Sequence, residues 1–280
     1  MAGSRRMGHN RDVSEAADKT PYEAVPIGAL PGTHPKPNLP GTVVVRGGVD
    51  ELLDAMAADL LFQSKACVRA FGDFHLALSG GSTPEPLYRR LMYDPNYRDL
   101  PWKRTHLWIV DERRVPFEDD RCNFKMIRET IVSQSDIPRE QVHPIDAMSE
   151  TADTDYERHL REQLGWREKG HDRLDYVLLG MGADGHTASL FPGSPALGSV
   201  GRLVVINAGP TVTPPDRVTM TYDLLNASRF LGVMVTGQKK RDMVARIAGG
   251  QIAPEEAPIL GIRPLAGELR WYLDAAACPQ

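Results

Sequence analysis

Cysteine is scarce in this sequence of 280 residues, and basic residues are not in excess. Cys67, Cys122 and Cys278 are isolated, without a Cys-x-x-Cys pair, which argues against a disulfide framework and against a cysteine metal site. We therefore expect reduced thiols in a cytoplasmic protein. The net charge of −4 provides no basic stripe, so a nucleic-acid partner is not expected. A small anionic ligand remains compatible with this charge, because a local group of arginine and lysine can outweigh it.

Long apolar runs are missing as well. No stretch approaches the roughly 18 residues needed to span a bilayer, so a membrane partner is not expected. Residues 1–40 are interrupted by prolines, which break helices and remove the backbone donors that a strand needs: Pro21, Pro26, Pro31, Pro35, Pro37 and Pro40. This composition predicts a flexible N-terminal tail over 1–40, followed by one α/β domain over 41–280.

Strands and helices alternate along that domain. Short apolar or β-branched runs predict strands at 42–45, 75–78, 107–110, 174–179, 203–206, 218–221 and 230–235. Apolar residues at helical spacing predict helices at 50–68 (capped by Asp50), 86–92, 123–132, 153–164 and 239–248. The alternation predicts an α/β fold with a mostly parallel sheet and helices on both faces. Such sheets bind ligands outside the carboxyl ends of their strands, where four polar clusters lie.

The first polar cluster is the turn Ser79-Gly80-Gly81-Ser82-Thr83-Pro84, which follows the second predicted strand. Gly80 and Gly81 allow the backbone to approach a ligand closely. Ser82 and Thr83 offer hydroxyls, and the next helix directs its free N–H groups at an anion. These residues suit a phosphate, although they are equally compatible with an ordinary capped turn. The turn matches neither the dinucleotide fingerprint nor the ATP-binding loop.

Charged residues follow the next strand, in the segment Asp111-Glu112-Arg113-Arg114. The paired N–H donors of Arg113 can clamp a phosphate or an oxyanion. A solvated group of salt bridges is the alternative. Two more segments end or follow late strands, one beginning at Arg217 and the other covering 237–240, and Lys240 or Lys239 can add positive charge over the same crevice. Taken alone, these two segments are ordinary.

The loop Gly180-Met181-Gly182-Ala183-Asp184-Gly185-His186 follows a strongly apolar strand. Its three glycines free the backbone to expose Asp184 and His186 at the sheet edge. An imidazole titrates near neutral pH and can take a proton from water. Asp184 can hold the ring in one tautomer or stabilise its charged form. The setting favours a functional role for His186 over a structural one.

Together these clusters resemble the 6-phosphogluconolactonase family, from about residue 43 to the last helix. Three segments carry the resemblance: LSGGSTP at 78–84, VDERRVP at 110–116 and LGMGADGHTASLFP at 179–192. RVTMT at 217–221 and GQKK at 237–240 support it, and all five segments occur in the family's order. The resemblance implies a modified Rossmann-like fold of the glucosamine-6-phosphate deaminase type.

The resemblance also implies an activity, the hydrolysis of the ring ester of 6-phosphoglucono-1,5-lactone in the oxidative pentose phosphate pathway, without a metal or cofactor. His186 would be the general base that activates water, and Asp184 would orient or polarise it. Arg113 and the glycine-rich turn, helped by Lys240 and Arg217, would hold the 6-phosphate and steady the oxyanion. The partner would be this sugar-phosphate lactone, bound by a monomer or a small homo-oligomer.

Two alternatives stay open. Glucosamine-6-phosphate deaminases share the sheet, the phosphate turn and the Asp-Gly-His loop, but their loop continues with a glutamate just before the proline. Phe191 stands in that place here and cannot move protons, which favours the lactonase. A non-catalytic sugar-phosphate-binding regulator could keep the phosphate contacts, yet it would not need both Asp184 and His186.

One departure from the family pattern is Cys122-Asn123, where the family usually has Ser-Asn. A thiol keeps the size of a serine side chain but forms weaker hydrogen bonds, so no catalytic role is expected for Cys122. Several other histidines have no motif around them and are assigned to the surface or the core: His106, His143, His159 and His171.

Overall fold

The computed structural model describes residues 34–209 and 212–279, so the prediction made for residues 1–33 of the tail lies outside the described residues. The last residues of that predicted segment contact the folded domain. Leu39 is 7% exposed and belongs to the hydrophobic core. The carbonyl of Pro40 accepts a hydrogen bond of 2.8 Å from the Trp271 indole.

Strands and helices alternate along the described chain. The strands are β1 (Thr42–Arg46), β2 (Phe74–Leu78), β3 (Thr105–Ile109), β4 (Asp111–Arg113), β5 (Val142–His143), β6 (Tyr176–Gly180), β7 (Val204–Ala208), β8 (Asp216–Met220), β9 (Phe230–Val235) and β10 (Glu268–Asp274). The α-helices are α1 (Val49–Phe71), α2 (Glu85–Tyr93), α3 (Asn123–Ile127), α4 (Ala152–Leu164), α5 (Tyr222–Ala227) and α6 (Arg241–Ala248). Short 3₁₀ segments occupy Pro95–Tyr97, Trp102–Arg104, Arg139–Gln141, Pro195–Gly198, Gln238–Lys240, Pro258–Gly261 and Ala275–Ala277.

Seven strands form one parallel sheet in the order β1-β10-β9-β6-β2-β3-β5. Helices cover both of its faces. Trp108 of β3 packs against Tyr156 of α4 on one face, whereas Tyr272 of β10 donates a hydrogen bond to Asp59 of α1 on the other. The inner strands are largely apolar, as expected for a sheet that is buried on both sides. The prediction of an α/β fold with a mostly parallel sheet is confirmed.

Two predicted strands belong to a second, antiparallel sheet. β8 pairs with both β4 and β7, so the runs predicted at 203–206 and 218–221 do not extend the parallel sheet. The sequence pattern also does not predict β4, β10 or α5. All three residues of β4 are charged, and a strand of that composition carries no apolar signal.

Two helix predictions need correction. α1 begins at Val49 with Gly48 in the N-cap position, so Asp50 does not cap it. Asp50 lies in the first turn, where a carboxylate interacts favourably with the helix dipole. The helix predicted over 123–132 is α-helical only through Ile127 and continues as a π-helix over Arg128–Val132. In the described ranges, no helix has both the length and the apolar character needed to cross a membrane.

Candidate active site

A cavity of about 340 Å³ opens at the carboxyl ends of β2, β6 and β9. Its volume suits a small ligand. Ser79, Gly180 and Thr236 line it from these strand ends, and Arg113 and Arg217 line it from the second sheet. This is the edge at which doubly wound sheets bind their ligands. The polar clusters of the sequence therefore meet at one place.

The glycine-rich turn after β2 is fixed to the fold through its first residue. Ser79 Oγ donates a hydrogen bond of 2.8 Å to the carbonyl of Leu178 in β6. The carbonyl of Ser79 accepts a hydrogen bond of 2.5 Å from the Tyr88 hydroxyl. Because Tyr88 is fully buried in α2, the neighbouring strand and the following helix together hold the start of the turn.

His186 and Asp184 form a hydrogen-bonded pair in the loop after β6. Nδ1 of the imidazole lies 2.6 Å from Oδ1 of Asp184, which also accepts the backbone N–H of His186 at 3.2 Å. Burial raises the pKa of the Asp184 carboxyl, but the hydrogen bonds from His186 outweigh that effect and the pKa is lowered. The aspartate is therefore an anion at neutral pH and holds a proton on Nδ1. When the ring carries only this proton, Nε2 can serve as a hydrogen-bond acceptor.

Gly182 is the residue that gives this pair its space. A Cβ atom at this position would lie 2.1 Å from Nδ1 of His186 and 2.4 Å from Oδ1 of Asp184, which is too close for any other residue type. The N–H of Gly182 donates to the carbonyl of His186 at 2.8 Å and closes the loop. Thr187 Oγ1 adds a hydrogen bond of 2.8 Å to the carbonyl of Gly180. The backbone is therefore folded around the pair.

A buried carboxylate, Glu112, positions the neighbouring arginine. Its side chain accepts hydrogen bonds of 2.7–2.8 Å from three backbone N–H groups: those of Arg113, Asn123 and Phe124. Burial raises the pKa of Glu112, although these donors oppose the shift. The contacts tie β4 to the first turn of α3. They place Arg113 at the cavity wall, where its Nη1 also donates to the carbonyl of Arg121 at 2.6 Å.

The cavity wall carries the cationic side chains of Arg113, Arg217 and Lys240. Arg113 and Arg217 are directly opposed in the register of the antiparallel sheet, and like charges in that position repel each other. Burial, followed by the charge of Arg113, lowers the pKa of Arg217. Burial also lowers the pKa of Lys240, against the opposing effect of Asp184. An anion in the cavity would stabilise all three charges.

Most residues predicted for the site line the cavity: Gly80, Gly81, Thr83, Arg113, His186, Arg217 and Lys240. Two predicted residues do not. Ser82 is exposed and lies outside the lining. Asp184 also lies outside the lining, but it is hydrogen-bonded to His186 and its charge acts on Lys240.

The cavity also contains residues that the sequence patterns do not identify as site residues: Asn123, Ser189, Val212, Thr213 and Thr236. Ser189 Oγ donates a hydrogen bond of 2.6 Å to Oδ2 of Asp111. This bond joins the loop of His186 to β4. No periodic sequence pattern identifies these cavity residues. Only their positions directly after particular strands could have predicted that they belong to the site.

Cys122 belongs to the buried network around Glu112. Its Sγ lies 3.4 Å from Oε2 of Glu112. Burial, followed by that carboxylate, raises the pKa of the thiol to about 11. The thiolate is therefore scarce at neutral pH, which argues against a nucleophilic role. Cys67 and Cys278 are likewise free and buried.

A second polar group lies outside the cavity lining, between the sheet and α4, and we call His75, His106, His143 and His159 the histidine stack. Nδ1 of His106 is 3.0 Å from Nε2 of His143, and Nδ1 of His143 is 2.8 Å from Nε2 of His159. The Trp108 ring stacks on His143 with 3.9 Å between centroids. Its indole N–H donates to Nδ1 of His75 at 3.0 Å. The stack thus links three strands and a helix.

Part of this stack has the donor types of a metal site. Ligand atoms of Asp73, His75 and His106 lie within 4.8 Å of one another. The N–H of Trp108, however, occupies Nδ1 of His75 and leaves the proton on Nε2, the nitrogen next to Asp73. Arg167 also donates to the Asp73 carboxylate at 2.9 Å. A protonated nitrogen cannot ligate a metal, and the guanidinium repels a cation, so these contacts oppose metal binding.

Most of the chain matches the model of one known protein family. The model of the family described as glucosamine-6-phosphate isomerases/6-phosphogluconolactonase matches residues 48–271. This chain belongs to that family. Every residue that lines the cavity falls within the matched range.

The chain is similar to known proteins of two kinds. The GDH/6PGL endoplasmic bifunctional protein of Homo sapiens is 36% identical over 239 residues, which are 80% of this chain and 28% of that protein. The 6-phosphogluconolactonase of Nostoc sp. is 36% identical over 229 residues, which are 80% of this chain and 92% of that protein. The crystal structure of 6-phosphogluconolactonase from Thermotoga maritima has a TM-score of 0.71 at 28% identity, covering 83% of this chain and 99% of that chain. The chain thus spans little more than a quarter of the bifunctional relative.

Proposed function

We propose that this family member hydrolyses 6-phosphoglucono-1,5-lactone to 6-phosphogluconate in the cytoplasm, where its three free thiols would stay reduced. The observation that carries the proposal is the hydrogen-bonded pair of Asp184 and His186 at a cavity lined by three cations. The arrangement brings a base and an anion site into one small volume. The relatives from Nostoc and Thermotoga maritima, which are named 6-phosphogluconolactonase, support the same reaction.

His186 acts as the general base in this reaction. With Asp184 holding the proton on Nδ1, Nε2 accepts a proton from water while the water oxygen bonds to C1 of the lactone. The carbonyl oxygen becomes an oxyanion. The tetrahedral intermediate then collapses as the bond between C1 and the ring oxygen breaks, and the imidazolium returns its proton to that oxygen. Water is the co-reactant, so the proposal includes no metal and no cofactor.

The three cationic side chains that line the cavity, those of Arg113, Arg217 and Lys240, favour a phosphorylated substrate. Guanidinium groups bind phosphate oxygens through paired N–H donors, and a dianion offsets the repulsion between the opposed Arg113 and Arg217. Gly80 and Gly81 line the same cavity, and glycine allows the backbone to approach a ligand closely. Asp111, in the same strand as Arg113, accepts a hydrogen bond from Ser189 in the loop of His186. This contact joins the strand of Arg113 to the base, so Arg113 can serve the oxyanion as well as the phosphate.

Phe191 favours the lactonase over a deaminase, and the pair of Asp184 and His186 favours it over a regulator. Its ring is 3% exposed, and its centroid lies 5.1 Å from that of His186. A deaminase resembling this chain would need an acid at this position, and a phenyl ring neither donates nor accepts a proton. A regulator would need no base, whereas here Asp184 prepares His186 to act as one.

Replacing Arg113 with alanine should weaken binding of 6-phosphogluconate about 10- to 100-fold, because a charge-assisted hydrogen bond contributes about 1.5–3 kcal/mol. Titration calorimetry measures the dissociation constant. Arg128→Ala is the matched control, since Arg128 pairs with Glu118 outside the cavity lining and should leave binding unchanged. A wild-type dissociation constant in Arg113→Ala would remove Arg113 from the binding site.

Parallel assays of the purified protein test the class of reaction. One assay follows loss of 6-phosphoglucono-1,5-lactone and subtracts the spontaneous rate, and the other follows ammonia released from glucosamine-6-phosphate. We expect accelerated lactone loss and no ammonia. Ammonia release would identify a deaminase instead. Binding of 6-phosphogluconate with turnover of neither substrate would identify a regulator.

A further inference from the structure

We propose that Phe191 is a positioning residue that holds the His186 imidazole in its productive orientation. The inference rests on the proposed function, because it takes His186 to be the base. Phe191 has no polar atom in its side chain and lines the cavity beside His186, so we assign its effect on proton transfer to its contact with the imidazole ring. This positioning role is distinct from the argument that Phe191, lacking an acidic group, cannot serve a deaminase.

A single hydrogen bond does not fix an imidazole ring. Asp184 holds Nδ1 at 2.6 Å, but a contact at one nitrogen leaves the ring free to tilt about it. The His186 side chain is 28% exposed, so the protein covers only part of it. A catalytic group must keep its direction within about 10–20° of the productive geometry, which requires support from neighbouring side chains.

Phe191 provides a second contact. The two ring centroids are 5.1 Å apart with 52° between the ring planes, a favourable tilted arrangement for aromatic rings. Phe191 is buried, yet it does not belong to the continuous hydrophobic core that includes its neighbour Leu190. Its burial therefore depends on the site and the loops around it.

The Phe191 ring packs in turn against Gly209, the residue that follows β7. A Cβ atom at Gly209 would lie 2.5 Å from the ring, so the ring occupies space that only glycine leaves open. The N–H of Gly209 donates to the carbonyl of Pro215 at 2.9 Å. The backbone carbonyl of Phe191 accepts the N–H of Ser194 at 3.0 Å. The ring is therefore packed against the backbone at Gly209.

Phe191→Leu tests the role directly, because leucine keeps the position apolar but removes the ring. We expect kcat for lactone hydrolysis to fall about tenfold while KM and the affinity for 6-phosphogluconate change less than about twofold, since misplacing a catalytic group affects the chemical step. A wild-type kcat would overturn the proposal. Parallel losses of kcat and of product affinity would also overturn it, because they would indicate collapse of the whole cavity.

Phe230→Leu is the matched control for this substitution. Phe230 is buried in β9 and stacks on Tyr176, outside the cavity lining. The same change there should lower Tm without lowering kcat of the folded enzyme. A tenfold loss of kcat in Phe230→Leu would mean that any buried phenylalanine has this effect, which contradicts a specific role for Phe191.

Gly209→Ala reaches the imidazole by a second route, because its new Cβ displaces the Phe191 ring and leaves His186 unaltered. We expect kcat to fall in this variant as well. Gly209→Ala combined with Phe191→Leu should be no slower than Phe191→Leu alone, since the smaller side chain removes the collision. Additive losses would contradict the proposal. If Phe191→Leu does not fold, a wild-type kcat in Gly209→Ala is the contradicting result.

His186→Ala separates failure of this inference from failure of the proposed function. If His186→Ala keeps a normal kcat, the assigned base is wrong and the role of Phe191 falls with it. If His186→Ala loses activity while Phe191→Leu does not, only the positioning role is wrong.

Discussion

Replacing His186 with alanine is expected to lower kcat for lactone hydrolysis by about two orders of magnitude or more, because a general base typically contributes a factor of ~10²–10⁴. KM should change little, since the cationic side chains that would bind the phosphate remain. The lactone also hydrolyses unaided, so the spontaneous rate is subtracted in each assay. A near-normal kcat would show that another group activates the water.

Asp184→Asn tests the same proton transfer by changing the hydrogen-bond partner of His186. An amide in this place can donate to Nδ1 and favour the tautomer that carries the proton on Nε2. In that tautomer, Nε2 cannot accept a proton from water. We expect kcat to fall while binding of 6-phosphogluconate is kept. His171→Ala is the control, because His171 packs on Phe71 and does not line the cavity. It should retain a wild-type kcat.

Acidification is expected to destabilise the fold between pH 6.5 and about 4 through the histidine stack. Burial, followed by the neighbouring histidines, lowers the pKa of His143 from 6.5 to about 2, and burial lowers that of His106 to about 4. In this window the unfolded chain binds protons that the folded chain does not, so the free energy of unfolding falls as the pH falls. Each such histidine contributes about 1.4 kcal/mol per pH unit, which gives roughly 2–3 kcal/mol for His143 between pH 6.5 and 4.5.

The charged groups that face the stack act in both directions. Asp73, before β2, and Glu162, in α4, favour protonation of the nearby histidines. Arg104, Arg158 and Arg167 oppose it. Burial raises the pKa of Asp73, but the nearby His75 and the hydrogen bonds from Arg167 lower it overall, so this carboxylate titrates below the window. Burial of the imidazoles therefore remains the largest cause.

Urea unfolding between about pH 7 and about pH 4.5 measures this dependence. His143→Phe keeps a ring to stack on Trp108 but cannot be protonated, so its unfolding free energy should depend less steeply on pH, by about 1.4 kcal/mol per pH unit. Phe230→Leu again provides the control, because it removes packing without removing a titrating group. An unchanged slope in His143→Phe would show that the stack does not cause the acid sensitivity.

The parallel sheet could be predicted wherever burial on both faces leaves an uninterrupted apolar run, as in β6 and β9. β10 has no such run, because Glu268, Arg270 and Asp274 interrupt it. Arg270 is accommodated by a hydrogen bond of 2.5 Å to Asp59 of α1, which is 211 residues away in the sequence. A contact of that range has no local signature. The charged residues of β10 therefore prevent its prediction from the sequence, although it lies between β1 and β9 in the sheet.

The site could be predicted where its residues directly follow parallel strands, because these strands end at one edge. The turn at 79–84 follows β2 and the loop at 180–186 follows β6, so both were expected to meet. The register that opposes Arg217 to Arg113 depends on the second sheet, whose antiparallel pairing the alternation of elements does not predict. The contact of Phe191 with His186 likewise depends on tertiary packing.

The proposed function requires that His186 catalyses hydrolysis of a phosphorylated lactone. The most direct test is the rate of 6-phosphoglucono-1,5-lactone loss at neutral pH with the wild-type protein, with His186→Ala at equal concentration, and with no protein. We predict that the wild type accelerates the loss well above the spontaneous rate and that His186→Ala removes most of the acceleration. A wild-type rate equal to the spontaneous rate, or equal acceleration by both proteins, would contradict the claim.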